Sequence, residues 1–548
     1  MIQINQFKTS PIKDEELLSA VSKHFHVNAE EISDLRIVKK SIDARKKPEI
    51  VFSYTLQLCM AETTEKSLVK KNKNITLCDK QVSYRMPKCG KHILPHRPVV
   101  AGFGPAGIFA AYLLAKAGFC PIVIERGEDV YTRKETVEEF WQKGLLNTES
   151  NVQFGEGGAG TFSDGKLNTG VKDKYGRNRF VLETFVEFGA YENILYDSKP
   201  HIGTDVLCDV IYRMRESILK MGGTVLFSNK LESLIMKPDT KELAGIQVRN
   251  LITDEVFQLD TECCILAIGH SARDTFEVLY ETGLTIEQKS FAVGLRVIHK
   301  QKWMNQCQYG VNYEAHYPEI LPSASYKLTA RAKNGRGVYS FCMCPGGYVV
   351  NASSEQEMCA VNGMSNVKRD SGYANSAIVV SVSPKDYNSE HPLAGMYFQR
   401  NLEKKAFQLG NGNIPVCLFT DFKVETSDQI SAIQITNEYK DAVKGAFEPA
   451  NISSLFPEEI KDAFLDGMEQ FELCMSGFTS KNPLLCAIES RTSSPIKILR
   501  DESFNSVNIK GLYPCGEGAG YAGGIMSAAM DGMKVAEGII SCYASLKT

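Results

Sequence analysis

The sequence lacks the features that would place it in or across a membrane. No uninterrupted apolar run in its 548 residues reaches the roughly 18 residues that a membrane-spanning helix needs. The opening stretch, MIQINQFKTSPIKDEELL, is polar and mixed in charge, which differs from the basic and then apolar pattern of a signal peptide. These absences predict a cytoplasmic protein with no membrane partner.

A strong net charge is also absent. The formal charge is −3 at pH 7, so no overall field attracts nucleic acid or an anionic surface. The segment Lys39–Lys47 is locally basic, which is typical of a solvated turn between strands or of a contact with RNA or an acidic protein. No aromatic residue lies between Asp34 and Pro48 to stack on bases, so nucleic acid is not an expected partner.

Metal-ligand spacing is missing although cysteine is plentiful. The chain has 16 cysteines, which we expect to be mostly reduced and buried in a cytoplasmic protein. Cys342 and Cys344 form C-x-C, and no second ligand pair stands nearby at zinc spacing, so no metal is expected. This pair is either a redox pair or, as we favour, a buried strand entering a Pro-Gly-Gly turn.

The length and a change of composition predict several domains. A chain of 548 residues is too long for one compact core. A glycine-rich pattern begins near residue 96, gives way near 291 to a region rich in Tyr, Asn and Ser, and returns near 485. One domain interrupted by another explains that return. The predicted units are 1–95, 96–290, 291–484 and 485–548, of which the second and fourth form one discontinuous domain.

The region from residue 98 contains a dinucleotide-binding pattern. Gly102, Gly104 and Gly107 match Gly-x-Gly-x-x-Gly between an apolar strand (98–101) and a helix (105–117) that Pro105 and Ala106 open. Gly102 permits the tight turn, Gly104 lets the backbone approach a pyrophosphate, and Gly107 lets helix and strand pack closely. The helix amides then face the phosphates.

An acidic residue follows at the expected distance. The second strand (121–124) ends at Glu125, 18 residues after Gly107, where an acid binds a ribose hydroxyl. Its neighbour Arg126 is a further predicted cofactor contact. A glycine-rich turn without a ligand is the alternative, but it does not explain the strand, the helix and the acid together.

Later segments favour FAD over NAD. An apolar strand reaches Gly269-His270 with the Ala-x-Gly ending found beneath FAD in flavoproteins with two dinucleotide folds. Near the C-terminus, a predicted last strand (507–512) leads to Gly516-Glu517, where such proteins hold the ribityl chain, and then to a helix from about Ile525 to Ser541. The predicted contacts in these segments are Leu231, Gly269, His270, Gly516, Glu517, Gly523, Gly524 and Ile525.

A second glycine-rich loop follows the first βαβ unit. Residues 154–166 contain FGEGGAGTFSDGK, and so many glycines in one loop are costly to order. Close approach to the pyrophosphate and the flat flavin ring explains them, whereas a merely flexible loop is the alternative. The predicted contacts here are Gly157, Gly158, Gly160, Thr161, Ser163, Asp164 and Lys166.

These motifs resemble the bacterial FAD-dependent dehydrogenases that are often labelled NAD(P)/FAD-dependent oxidoreductases. The resemblance covers nearly the whole chain. It is carried by KKSIDARKK (39–47), VVAGFGPAG (99–107), FGEGGAGTFSDGKLNTG (154–170), FAVGLRVIHK (291–300), YSFCMCPGGYVVNASSE (339–355), RDSGYANSAIVV (369–380), ESRTSSPIKILRD (489–501) and GLYPCGEGAGYAGGIMSAAMDG (511–532).

The resemblance implies FAD and a flavin-reductase-like fold. More distantly, the chain is similar to fumarate reductase and aminoacetone oxidase-like flavoproteins, whose cap domain covers the flavin. The expected fold class is therefore α/β: a discontinuous two-dinucleotide-fold (glutathione-reductase-like) FAD domain, an inserted α+β cap at 291–484, and a small N-terminal α/β module.

Few residues present themselves for chemistry beyond the cofactor. His299 is the predicted general acid or base because a histidine changes charge near neutrality, although a structural role is the alternative. Arg491 is predicted to contact substrate, or else to build an interdomain turn. Arg296, Arg331 and Arg369 could each hold a substrate carboxylate or phosphate, or simply form ion pairs.

The sequence therefore predicts an FAD-dependent oxidoreductase that transfers hydride between a small organic substrate and flavin N5. FAD is expected to bind non-covalently. No complete second Rossmann unit is evident, so a dedicated NADPH domain is not expected, although NAD(P)H could still react transiently at the open flavin face. A flavoprotein acting on RNA and a flavin-bearing binding or sensor protein remain as alternatives. Substrate and oligomeric state are not specified by the sequence.

Overall fold

The computed structural model describes residues 1–78, 83–317, 319–425 and 429–546. Within them the fold is mixed α/β, as the sequence predicts. No helix in these ranges is long and apolar enough to cross a membrane. The α-helices span Leu17–Phe25, Glu62–Lys71, Pro105–Lys116, Val130–Lys143, Arg177–Glu187, Thr204–Lys220, Arg273–Glu281, Gln301–Tyr309, Tyr313–His316, Ala394–Leu409, Phe419–Val424, Gln429–Tyr439, Glu458–Cys474 and Ile525–Cys542.

A five-stranded parallel sheet, called the parallel sheet below, brings together distant parts of the chain. Its strands, in spatial order, are Leu512–Pro514, Cys264–Leu266, Val99–Ala101, Ile122–Ile124 and Thr224–Leu226. These short strands are almost wholly apolar, as expected of strands covered on both faces. The strand nearest the C-terminus pairs directly with Cys264–Leu266, so the final segment completes a sheet begun at residue 99.

Two helices cover one face of the parallel sheet. The helix Pro105–Lys116 is buried over ten consecutive positions, from Ala106 to Ala115, which explains why its sequence is apolar all round rather than amphipathic. It packs against Ile525–Cys542. Gly532 permits that contact, because a Cβ there would lie 2.1 Å from the carbonyl oxygen of Ala106.

A seven-stranded sheet, called the mixed sheet below, occupies the middle of the chain. Its spatial order is Thr329–Arg331, Gly337–Cys344, Tyr373–Val382, Phe291–Lys300, Leu484–Glu489, Ile414–Leu418 and Phe447–Pro449. All neighbouring pairs are antiparallel except the last, which is parallel. The largest apolar core of the described residues forms around this sheet.

Four smaller sheets complete the described fold. The N-terminal sheet is antiparallel, in the order Asp34–Lys46, Glu49–Cys59, Ile2–Thr9 and Ile75–Leu77, with the helix Leu17–Phe25 packed on it. The others are Val256–Asp260 with Leu243–Asn250 and Asn229–Met236; Ile286–Gln288 with Ile496–Ile498; and Val361–Met364 with Tyr348–Asn351 and Val443–Lys444.

One sequence prediction needs correction. The last strand of the parallel sheet is Leu512–Pro514, so the prediction of 507–512 is wrong. Residues 505–511 instead form a turn in which the Ser506 amide bonds the Leu512 carbonyl, and Gly511 adopts φ +88°. The basic segment 39–47 lies at the tip of a hairpin, because the strand Asp34–Lys46 runs through most of it and pairs with the returning strand Glu49–Cys59. Its charges are partly neutralised: Lys40 pairs with Asp14, and Arg45 with Asp43.

Candidate functional site

A deep cavity lies between the carboxyl ends of the parallel strands and one end of the mixed sheet. The predicted residues that line it are Gly102, Gly104, Pro105, Ala106, Glu125, Arg126, Gly158, Gly160, Ser163, Asp164, Lys166, Leu231, Gly269, His270, Arg491, Glu517, Gly523, Gly524 and Ile525. Segments more than 400 positions apart in sequence thus meet in one site. Crevices beyond the carboxyl ends of parallel strands are the usual ligand sites of such sheets.

The turn after the strand Val99–Ala101 needs glycine at two positions because of its backbone conformation and close packing. Gly102 has φ +97°, and a Cβ there would lie 2.4 Å from the carbonyl oxygen of Ala267. At Gly107 a Cβ would lie 1.9 Å from the carbonyl oxygen of Gly102, because the helix crosses the turn closely. These two glycines explain the turn without any ligand.

Three further glycines at the cavity are not required by contacts within the protein. A Cβ on Gly104 would meet only the Cα of Gly158, at 3.7 Å, and its φ of −80° suits any residue. Around Gly523 and Gly524 no described protein atom lies within 4 Å of an added Cβ. The protein therefore leaves space beside these three residues that its own packing does not use.

Glu125 organises the loops at one end of the cavity. One carboxylate oxygen accepts the amide of Phe103 at 2.8 Å, and the other accepts those of Gly127 at 3.0 Å and Gly155 at 2.9 Å. A carboxylate oxygen has two lone pairs, so Oε2 can accept one further donor, such as a ribose hydroxyl. Arg126 beside it is bound to Glu149 and Asp274 and lies over the Phe154 ring.

Four predicted cofactor residues stand behind the cavity wall rather than on it: Gly107, Gly157, Thr161 and Gly516. Gly157 has φ +86° and bonds through its amide to the Phe103 carbonyl at 2.9 Å, which joins the two glycine loops. The amide of Gly516 donates to Asp531 at 2.8 Å. These residues stabilise the conformation of the loops that form the cavity wall.

His299 does not line the cavity. It lies 3% exposed in the mixed sheet, stacked near Trp303 and Phe478, and its Nε2 donates to the Phe478 carbonyl at 2.8 Å. Burial disfavours the imidazolium and lowers the pKa of His299 to about 4. The structure thus separates this predicted acid or base from the other predicted site residues.

His270 does line the cavity, together with Glu517. Its Nδ1 lies 2.9 Å from Oε1 of Glu517, while its Nε2 is buried and has no hydrogen-bond partner among the described residues. An ionised carboxylate only accepts, so Nδ1 carries a proton, and in the neutral form of imidazole the other nitrogen, Nε2, is an acceptor. The sequence predicted both residues as cofactor contacts, but not their pairing.

Arg491 belongs to a buried ionic cluster. It forms a two-pronged pair with Glu403, at 3.0 and 2.7 Å, and donates to the hydroxyls of Ser354 and Ser271. Arg273 binds the same carboxylate from another side at 2.9 and 2.7 Å. The two guanidinium groups outweigh the burial that would otherwise favour the neutral acid, and they hold the pKa of Glu403 well below its usual range.

Two of the three further arginines also form ion pairs near the cavity. Arg296 donates to Glu489 at 2.7 Å within the mixed sheet, and Arg369 binds Asp164 through two nitrogens. Burial raises the pKa of Glu489, against the opposing effect of Arg296. Arg331 is exposed on the strand at the edge of the mixed sheet.

The C-x-C pair ends a strand, as favoured, but both cysteines line the cavity. Cys342 has φ +42° at an irregularity of the strand, and its thiol is accessible from the cavity. The surrounding protein partly desolvates this thiol and raises the pKa of Cys342 to about 12. In the described residues, no group of three His, Cys, Asp or Glu is placed to hold a metal ion.

Sequence reasoning missed several lining residues, among them Gln153, Ser271, Asn362 and Gly363. Phe341 and Cys342 also line the cavity. They lie within the motif 339–355 quoted above, and that motif is the sequence signal that could have identified them. Asn362 and Gly363 lie outside every motif, and only the pairing of Val361–Met364 with Tyr348–Asn351 brings them to the cavity.

Comparison with known proteins adds an independent observation. Residues 290–492 match the sequence profile described as "FAD-dependent protein, C-terminal domain-like", and residues 1–59 match a domain of unknown function. An uncharacterised protein of Clostridium beijerinckii is 44% identical over 552 residues, covering 99% of both chains.

Solved structures show only distant likeness. A flavin-dependent brominase aligns at 10% identity and TM-score 0.35, covering 81% of this chain and 80% of its own. A geranylgeranyl bacteriochlorophyll reductase-like protein of Thermoplasma acidophilum aligns at 12% and 0.33, covering 82% and 78%. On the full-length identity to the Clostridium protein and the matching C-terminal profile, this chain belongs to a family of FAD-dependent proteins.

Proposed function

We propose that the protein binds FAD non-covalently in the described cavity and acts as an oxidoreductase on a small organic substrate. The observation that carries this proposal is the unused space at Gly104, Gly523 and Gly524, where no packing within the protein calls for glycine. A ligand with one end at Gly104 and another at Gly523 would supply the missing contacts. FAD has that extended form, and family membership makes it the expected occupant.

The residues present fit the two halves of FAD. Gly104 would adjoin the pyrophosphate at the first turn of Pro105–Lys116, where the first amides of a helix have no intrahelical partner. The free lone pair of Glu125 would accept a ribose hydroxyl. Gly523, Gly524 and Ile525 open the helix Ile525–Cys542, whose amides suit the electron-rich edge of the ring.

The same proposal extends to the domains. We assign a discontinuous FAD domain of the two-dinucleotide-fold type to 96–290 and 485–548, a cap to 291–484 and a separate module to 1–95. The pairing of Leu512–Pro514 with Cys264–Leu266 supports the discontinuous domain. The profile matches at 290–492 and 1–59 support units close to the proposed cap and module.

When bound, FAD supplies hydride transfer at flavin N5. The residues of the chain orient the reactants and move protons. Glu517 fixes the tautomer and orientation of His270, which leaves Nε2 free to accept a proton at the cavity wall. Arg491 is committed to Glu403, Ser354 and Ser271, so its role is to hold the wall rather than to bind substrate.

Anaerobic reduction of the purified holoprotein tests this function. We expect at least one member of a panel of organic acids, alcohols, amines and NAD(P)H to bleach the oxidised flavin band in a single saturable phase. Photochemical reduction serves as the control that the flavin is competent. If photoreduced flavin is reoxidised by no member of the panel, and oxidised flavin is reduced by none, the sensor alternative is favoured instead.

A further inference from the structure

One end of the cavity is lined by the charged side chains of Asp164 and Lys166 in the glycine-rich loop, next to Cys344 of the mixed sheet. Asp164 is the acid at its centre and is 2% exposed. Arg369 binds both of its oxygens, and the hydroxyl of Ser365 donates to one of them. The charge of this carboxylate is therefore already matched by Arg369.

Lys166 is a second cation at the same carboxylate. Its Nζ lies 3.4 Å from Oδ2 of Asp164 and 4.0 Å from Sγ of Cys344, and 34% of its side chain is accessible. Burial disfavours the ammonium, but the charge of Asp164 outweighs burial and the pKa of Lys166 is raised. Lys166, Arg369 and Asp164 together carry one unmatched positive charge.

The other cations at this end are matched by acids. Arg296 has Glu489. Arg491 and Arg273 share Glu403, and Arg273 also binds Glu355. Arg400 binds Glu355 and Glu277, so the three arginines of this cluster meet three carboxylates. Among the described residues that line the cavity at this end, Lys166 is the cation left in excess.

Asn362 supplies a neutral donor on the same wall. Its Oδ1 accepts from Arg296 at 2.8 Å and from the amide of Gly363 at 2.8 Å, which fixes the orientation of the side-chain amide. Its Nδ2 donates to no acceptor among the described residues. Gly363 lies beside Cys344, because a Cβ there would be 2.9 Å from Sγ, and Cys344 is the neighbour of Lys166.

From this arrangement we infer a subsite for the carboxylate of a small organic acid, bound by Lys166 Nζ and Asn362 Nδ2. A monoanion neutralises the single excess charge, whereas a phosphate dianion would leave a buried negative charge unmatched. A charge-assisted bond to the ammonium and one neutral donor suit the two oxygens of a carboxylate. The inference deepens the proposed function by naming the substrate class, and it assigns Lys166 to substrate rather than to FAD.

Ligand titration of the FAD holoprotein tests the subsite through the flavin spectrum, without turnover. Benzoate and acetate are the probes, benzamide and acetamide are their neutral matched controls, and inorganic phosphate is a further arm. We expect the carboxylates to give a saturable difference spectrum and the amides and phosphate to give none.

Three variants sharpen the titration. We expect Lys166→Met to weaken benzoate binding at least tenfold, Lys166→Arg to keep it within about threefold, and Asn362→Asp to weaken it by adding a repelling charge. Thermal melting of each variant verifies folding, and Asn362→Asp remains informative if Lys166→Met does not fold.

Several outcomes would overturn the subsite: equal binding of benzamide, equal binding of phosphate, or wild-type affinity in Lys166→Met. So would a wild-type flavin spectrum that no carboxylate perturbs. A wild-type protein that takes up no FAD at all would instead contradict the proposed function, and it is recognised before any probe is added.

Discussion

The two walls of the cavity are built in different ways. The parallel sheet contributes a turn made of glycines and backbone, in which Gly102 and Gly107 fix the geometry and Gly104 leaves space. The wall from the mixed sheet consists of buried charged side chains, among them Arg296 with Glu489 and Arg491 with Glu403. A wall of backbone suits a cofactor, which is the same molecule in every reaction. Paired charged side chains instead set the net charge that a substrate would meet in the cavity.

The charged wall should be the more fragile to substitution. Glu403→Gln leaves Arg491 with no matching carboxylate and Arg273 with Glu355 alone, and removing one partner of a buried pair costs about 3–5 kcal/mol. Chemical denaturation measures this loss in the free energy of unfolding. The control Glu277→Gln breaks a pair that is 34% exposed on the acid's side, so a change below about 1 kcal/mol is expected. Equal losses in the free energy of unfolding of Glu403→Gln and Glu277→Gln would contradict this contrast between the buried and the more exposed ion pair.

The glycine wall should fail in binding rather than in folding. Gly104→Val meets little protein, but its side chain fills the space proposed for the pyrophosphate, so FAD affinity should fall about 100-fold or more, or about 2.7 kcal/mol. Flavin fluorescence titration of the apoprotein measures it. Gly170→Val is the matched control, because Gly170 also has open space around it but lies outside the cavity. A folded Gly104→Val protein with wild-type FAD affinity would exclude this site for the pyrophosphate.

His270 and His299 offer a matched pair. His270→Gln removes the unpartnered Nε2 at the cavity, so flavin reduction should slow about tenfold or more, with a changed pH profile and FAD still bound. His299→Gln should leave that rate within about twofold and lower stability instead, since the bond to the Phe478 carbonyl is disturbed. Stopped-flow reduction and thermal melting separate the two effects. The reverse result would restore His299 as the proton-transfer residue.

The smallest predicted effect concerns Glu156, one of the two acids buried in the glycine-rich loop 154–166. Burial raises the pKa of Glu156 to about 7 from 4.5, so the folded state holds its proton where the unfolded chain has lost it. Stability should therefore fall as pH rises through this window, by about 1 kcal/mol between pH 6 and pH 8. Glu156→Gln should remove that part of the pH dependence. If the difference in the free energy of unfolding between pH 6 and pH 8 were the same in Glu156→Gln as in the wild type, Glu156 would not titrate in this pH range.

The same contrast explains how far the sequence predicts the site. The segments Gly102–Gly107 and Gly523–Ile525 were predicted because their glycines and helix starts are local signals. The partners of Glu403 lie 88 and 130 positions away, and no local pattern states such a pairing. The last strand was misplaced because the apolar residues of 507–512 resemble a strand, whereas Gly511 at φ +88° makes them a turn. His299 was predicted from chemistry alone, without the packing that buries it.

A structure with FAD bound tests the central claim, that two distant segments of the chain form one FAD site, most directly. The account predicts the pyrophosphate against Gly104 at the start of Pro105–Lys116, and the flavin ring or ribityl chain within about 4 Å of the segment 515–526. It would be contradicted by FAD bound with no atom of 515–526 in contact, or by FAD bound away from the described cavity.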